Sequence, residues 1–505
     1  MNNWKLLCGV SAIATMMAPA AYADVTAQQV WGDMKSYLQG FGYDVISTEA
    51  TSGDTLRISD LKMSMVLPED EGDMAINIAE ISFTNTGDGT VSVSFPNVMP
   101  ILVNVRPKDD KSADVALDYT QTGFSMVVSG DASEMLYSYT AADLGLALKS
   151  LTVDGTPVDI GAITMNMTNV IGNTKMAIGT LRDIDQTMQV DTLTYNFDIK
   201  DPEGDGAFLM TGALNEMTMQ SDGSFPTGID SQDVTAMFKA GFAFDGAFGH
   251  KGGQSQLSFT EDGIKTDAAS RSDSGSFTVA MDAEKLTYSA AANGMAVDLS
   301  GGEIPFPIAL QMAESKFNMV MPLAKSDEEQ DFALAVNLGG FTMSDMIWGI
   351  FDPTAQLPRD PATVAFDLSG KAKLFLDLMD PEQMKKVDEG EEMPGELNAL
   401  TLNSVLVSAA GAKLTGAGDF TFDNTDLTSF DGMPAPEGAV DLQLVGGNGL
   451  LDKLIAMGLV PEDQAMGTRM MMGLFAVPGD APDTLNSKIE VNDQGHVLAN
   501  GQRLK

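Results

Sequence analysis

The chain has 505 residues, with 71 Asp plus Glu against 29 Lys plus Arg, a formal net charge of −42, 2 His and 1 Cys. Such an excess of negative charge, spread along the whole length, repels nucleic acid and anionic membrane surfaces, so both are excluded as surface partners. With so few His and a single Cys, zinc sites, thiolate chemistry and disulfides lack their usual residues.

The first 23 residues have the layout of a secretory signal peptide. Lys5 provides the positive start, Leu6 to Ala14 an apolar run, and Ala21-Tyr22-Ala23 a small-x-small cleavage site before Asp24. The apolar run is too short to span a membrane, and no later stretch reaches the ~20 apolar residues a span requires. Cys8 falls inside this segment, so the mature chain from Asp24 is expected to be free of cysteine and to reside in the periplasm.

Residues 24–42 are expected to form an amphipathic helix. Val30, Trp31, Met34, Tyr37, Leu38 and Phe41 recur at helical spacing, Thr26 is a suitable N-cap, and Gly40 and Gly42 mark the end. From 43 to about 340 the pattern has period two. Leu61, Met63 and Met65 alternate with Lys62 and Ser64, and Leu193, Tyr195, Phe197 and Ile199 alternate with Thr194, Asn196 and Asp198. Gly- and Asp-rich breaks, such as Asp154-Gly155 and Asp262-Gly263, supply the turns. The expectation is mainly β (α+β): extended antiparallel sheets with one dry face. An internal duplication is read from Tyr139–Leu148 aligned without gaps on Tyr288–Val297, which matches Gly145 with Gly294.

Residues 341–505 are expected to be a smaller β module with two helices. It opens on a short helix around Trp348, capped by Ser344 and ended by Asp352-Pro353. Met384 to Pro394 reads as an exposed loop. Asn448–Met457 and a segment opened by Pro461 read as a helix pair, followed by a hairpin at Asp493-Gln494-Gly495.

The stretches IWGIFDPTAQLPRDPA, GNGLLDKLIAMGLVPEDQA, MMMGLFAVPGD and EVNDQGHVLANGQRLK resemble an exported bacterial family known as domain of unknown function 2125. The resemblance spans the mature chain and implies export, but brings no activity, ligand or catalytic residue with it. In style, the long alternating sheets also resemble large periplasmic proteins whose open β-grooves hold lipid chains.

No catalytic constellation stands out. His250 and His496 lack ligands or carboxylates at metal or triad spacing, and no nucleophile elbow, P-loop or dinucleotide fingerprint occurs. The expectation is a protein that is not an enzyme and needs no cofactor. Acidic loops such as Asp423-Asn-Thr-Asp426 offer hard oxygens but miss the EF-hand spacing, and read as solvated turns. The Met-x-Met pairs Met63/Met65, Met165/Met167, Met217/Met219 and Met319/Met321 could present thioethers to Cu(I). Each pair also continues an apolar strand face, so core filling with burial of all four pairs is favoured. Two functions remain: an envelope protein that binds an apolar ligand such as a lipid chain along these methionine-bearing faces, or a structural or interaction protein whose sheets close on each other. An uncovered apolar stripe would distinguish the first from the second.

Overall fold

A computed structural model describes residues 24–67, 71–202, 204–229 and 233–504. The expected cleavage-site residues Ala21 and Ala23 lie outside the described residues. The helix α1 (Ala27–Gly40) comes first, and Thr26 caps it through a reciprocal box with Gln29. Strands β1 (Asp44–Ser52), β2 (Thr55–Val66) and β3 (Gly72–Asn85) follow as antiparallel neighbours.

The next two strand positions are each broken in two. β4 (Val91–Ser94) and β5 (Val98–Pro107) both pair with β3, one with each half of it. β6 (Ala113–Thr122) and β7 (Ser125–Gly130) pair in the same way with the two halves of β8 (Glu134–Val153). The breaks fall at Phe95-Pro96-Asn97, where Pro lacks a ladder donor, and at Gly123, with φ +62°. Beyond a short β9 (Thr156–Val158), the meander continues without interruption. It runs through β10 (Gly161–Ile178), β11 (Leu181–Lys200), β12 (Ala207–Pro226), the short helix α2 (Val234–Lys239), β13 (Ala243–Glu261), β14 (Ile264–Met281), β15 (Lys285–Gly301), β16 (Ile308–Pro322) and β17 (Gln330–Met343).

The sheet then crosses the boundary expected at 341. After α3 (Asp345–Phe351), β18 (Ala362–Leu374) pairs with β17. The rest follows as α4 (Pro381–Asp388), β19 (Gly395–Ala409), β20 (Ala412–Asp423), β21 (Ala435–Val445), α5 (Gly447–Ala456), α6 (Glu462–Phe475), β22 (Val477–Pro478), β23 (Thr484–Val491), β24 (Val497–Ala499) and β25 (Gln502–Arg503). All 25 strands belong to one antiparallel sheet. Among the described residues β1 pairs only with β2 and β25 only with β24, so the sheet has two free edges and does not close on itself.

Several local readings are refined. The segment 384–394, expected to be a loop, begins within α4, which Asp380 caps and Pro381 opens; the Asp-Pro start outweighs the charged composition that follows it. Ser344 occupies the N-cap position of α3, but its hydroxyl is buried and makes no capping bond. Asp352 ends α3 as expected. It is fully buried and accepts hydrogen bonds from the N–H groups of Gln356 (2.8 Å) and Leu357 (2.9 Å). Burial acts to raise its pKa, yet those two donors and nearby Arg359 prevail and hold it below the usual carboxylate range. Pro461 stands at the N-cap of α6 rather than inside it.

The main core lies where α1 rests on β1 to β3. Val30 and Trp31 of the helix and Leu56, Ile58 and Phe83 of the sheet are 0–3% exposed. Removing each of the larger side chains from water contributes about 1.5–3 kcal/mol. Two polar contacts orient the helix. Trp31 Nε1 donates to Glu49 Oε1 at 2.8 Å, and Arg182, at the start of β11, donates to both oxygens of Asp33 at 2.9 and 2.6 Å. The second pair is buried, and the ring of Tyr37 lies 5.2 Å from the guanidinium carbon.

Candidate functional site

In an antiparallel pair, residues directly opposite share a face, so the register traces that face across the sheet. One row starts at Tyr139 on β8 and passes through Gly172, Met188, Met219 and Phe248 to Phe277 on β14. It goes on through Ala290, Phe317, Val336, Phe366 and Val405 to Gly416 on β20 and Leu442 on β21. The flanking row holds Val279, Tyr288, Met319, Leu334, Leu368 and Leu402. Phe277, Tyr288 and Phe317 stack edge-on there, with centroids 5.0 and 5.4 Å apart. Along β13 to β21, among the described residues, Glu261 is the only Asp, Glu, Lys or Arg in a face position, and it sits at the hairpin tip that ends β13. The charges alternate onto the opposite face, where Lys371 pairs with Asp331 at 2.8 Å.

A crease crosses the long strands. On β10 the apolar positions step from Met165 and Met167 to Val170, not to position 169. Asn169 sits between them with φ +49°, outside the ladder on both sides. One left-handed residue adds a bulge, and the bulge carries the alternation onto the same face beyond it. Asp60 on β2 and Glu216 on β12 have φ +52° and +45°, and Gly294 on β15 and Gly340 on β17 have +60° and +68° at the matching places. At Gly294 a side chain is barred twice over, because a Cβ would lie 2.0 Å from the Asp273 carboxylate.

The crease folds toward the apolar side. Ala141, Val170, Val190 and Met217 on one flank are only 1–6% exposed and pack with Leu144, Met167, Leu193 and Leu214 from the other flank. On the reverse of the crease, Asn169, Asp191, Glu216 and Lys251 are exposed. Asn169 Nδ2 donates to Asp191 Oδ2 at 2.8 Å, and Lys251 bridges to Glu216 at 3.0 Å. The apolar face is therefore the concave one, and the sheet forms a trough.

α1 covers one end of this trough and α5 rests on β20 near the other, whereas among the described residues β13 to β19 carry no comparable cover. On that stretch Leu374 is the only large apolar face side chain that is buried, and Phe259, Leu338, Val364 and Val407 are 38–46% exposed. With strands about 4.8 Å apart, the uncovered part is roughly 30 Å long.

All eight methionines of the Met-x-Met pairs fall on the concave face, opposite other apolar residues. Met63 faces Ile76, Met65 faces Met74, and Met165 and Met167 face Tyr195 and Leu193. Met219 faces Met188, and Met319 and Met321 face Tyr288 and Leu286. Burial of all four pairs does not hold. Met63 and Met217 are buried, but Met165 and Met219 are 37% and 44% exposed, because nothing lies over that part of the trough. Tyr139 and Tyr288 share this face, but Gly294 lies in the crease while Gly145 pairs within the ladder with Thr120 and Asn166. The gapless alignment therefore places two different features opposite each other.

The convex face is polar. A cavity of about 520 Å³ there is bordered by Thr211, Gln254, Gln256, Arg271 and Asp298. Asp426, in one of the acidic loops, accepts hydrogen bonds from Ser429 and Thr428, which hold its pKa down to about 2. Its oxygens serve a turn, and no grouping of three or more His, Cys, Asp or Glu able to hold a metal occurs among the described residues. No helix among them is long and apolar enough to cross a membrane.

The fold and the site define a class by geometry: a single creased antiparallel sheet with an apolar trough almost without charge in its open part. Comparison with protein-family models, curated proteins and solved structures finds no match, so the family resemblance rests on the quoted sequence motifs.

Proposed function

We propose that this is a non-enzymatic protein of the bacterial envelope that holds an apolar ligand, a lipid acyl chain, in the trough from β13 to β19. The observation that supports this reading is the half-exposed apolar face, continuous over those strands and almost without charge. A soluble chain that leaves so large an apolar surface in water gains by covering it, and patches of this size mark binding sites. Methionine and small residues suit a ligand of variable shape, since unbranched thioethers adapt to irregular contacts. The ligand would lie across the strands and be gripped by packing, with no reacting group near it.

The test is native mass spectrometry of protein purified from its own compartment, followed by organic extraction. Lipid-sized adducts that the extraction removes are expected. Ligand-free protein that also fails to take up diphenylhexatriene would overturn the proposal and leave a protein partner as the occupant of the face.

A further inference from the structure

One place on the concave face breaks its apolar character. At the crease on β13, His250 occupies a face position opposite Gly275, where the ladder to β12 is interrupted between Gly249 and Gly253. Its Nδ1 is buried and has no hydrogen-bond partner. The ring leans over two glycines: a Cβ on Gly275 would come within 2.3 Å of Nε2, and one on Gly253 within 3.1 Å of Cε1. That same point above Gly253 is 2.7 Å from the Ser272 hydroxyl, so imidazole and hydroxyl converge there. Ser255 and Ser270 occupy the next face positions across the same pair of strands. Tyr195 faces Gly212, which in turn faces Ser255, and the Tyr195 hydroxyl lies 2.3 Å from the Cβ position above Gly212.

A buried nitrogen without a partner is unfavourable, and an imidazole among apolar rows gains nothing over a phenyl ring unless something meets it. The missing side chains of the two glycines make room for the ring to lie flat on the sheet beside the Ser272 hydroxyl. Burial lowers the pKa of His250, so at neutral pH the ring is uncharged and offers one donor and one acceptor. Among the described residues no Lys or Arg faces the same spot to attract an anion, since Lys251 and Arg271 alternate onto the opposite face.

Building on the trough reading, we infer that His250, Ser272, Ser255 and Tyr195 form a polar station that binds the uncharged oxygen-bearing linkage of the ligand, an ester or a hydroxyl, while its hydrocarbon lies along the Met- and Phe-lined rows on either side. The station sets where along the trough the ligand stops. It favours neutral acyl esters over free fatty acids, whose carboxylate would be desolvated with no cation to meet it.

Competition against bound diphenylhexatriene tests this, with three probes of equal chain length: monopalmitoylglycerol, palmitate and n-hexadecane. The ester is expected to displace the dye at about tenfold lower concentration than either of the others, the worth of roughly one satisfied buried hydrogen bond. His250→Leu should remove that tenfold advantage and leave hexadecane unchanged, and Ser272→Ala should reduce it. Circular dichroism melting checks that both variants fold. Equal displacement by ester and alkane, an advantage that survives in both variants, or tighter binding of palmitate would overturn the station and leave the trough. Failure of the dye and of all three probes to bind would overturn the trough itself, and the station with it.

Discussion

At the residue scale, the methionines separate two roles that share one face. Met217 lies at the bottom of the crease, 6% exposed and in contact with both flanks, while Met165 stands on the open wall at 37%. Truncating Met217 to Ala should leave a cavity and cost about 2–4 kcal/mol in urea unfolding. Met165→Leu conserves volume at a half-wet site and should stay within about 1 kcal/mol of the parent. The reverse order would mean that the crease is not the packed seam of the sheet. His250 shows what residue chemistry alone leaves open. A histidine flanked by Gly249 and Lys251, with no ligand spacing, carries no sign in the sequence that its ring comes near Ser272 above Gly253, because the two are brought to one place only by the β13–β14 register.

At the scale of elements, α1 and the crease do different work. α1 closes one end of the trough and is tied down by the buried Asp33–Arg182 pair, whose partners are 149 residues apart in sequence. Asp33→Ala leaves the guanidinium buried without its counter-charge, which costs about 3–5 kcal/mol at such sites. The variant should lose protection of the α1 amides in hydrogen exchange before the amides of β13 to β17 are affected. Simultaneous loss of both would mean that the helix is integral to the whole sheet instead of a cover on one end. The helix itself was legible, down to the Thr26 cap, because a capping box and an i, i+3, i+4 pattern are local. The crease also left a trace, a step of three between apolar residues inside a period of two, as in Leu214 to Met217. On one strand such a step looks like the end of a strand. Only when the steps line up from strand to strand does it become a fold line. The Asp380-Pro381 helix start is masked for a simpler reason: Lys385 to Glu392 looks solvated whether it is helix or loop.

At the scale of the whole molecule, the separation of faces carries the argument. The acidic excess is turned largely outward, and the open part of the trough is left almost without charge. The export proposal belongs to this scale as well. Val25 is buried and its N–H donates to the Gly89 carbonyl, so folded contacts reach to within a residue of the expected cleavage point. Intact-mass analysis of the exported protein should give Asp24 as the first residue, and a mass that still includes Trp4 would refute the cleavage site.

What the amino-acid order determined by itself was the class of structure and its local punctuation. Period-two alternation makes half-dry antiparallel strands, Gly-Asp pairs turn them, and an N-terminal helix and a C-terminal pair stand apart because their apolar spacing is helical. These follow from interactions within a few residues of each other, which is why they can be read along the chain. Whether the dry faces would meet each other or stay open was not decided there, since alternation is the same in a closed sandwich and in an open trough. The tertiary structure decided it through register. Successive hairpins placed Met219, Phe248, Phe277 and Phe317 in one row, and the aligned bulges bent that row inward. With one sheet and, among the described residues, no helix resting on β13 to β19 as α1 rests on β1 to β3, the apolar face there remained open, and His250 came to lie in its floor.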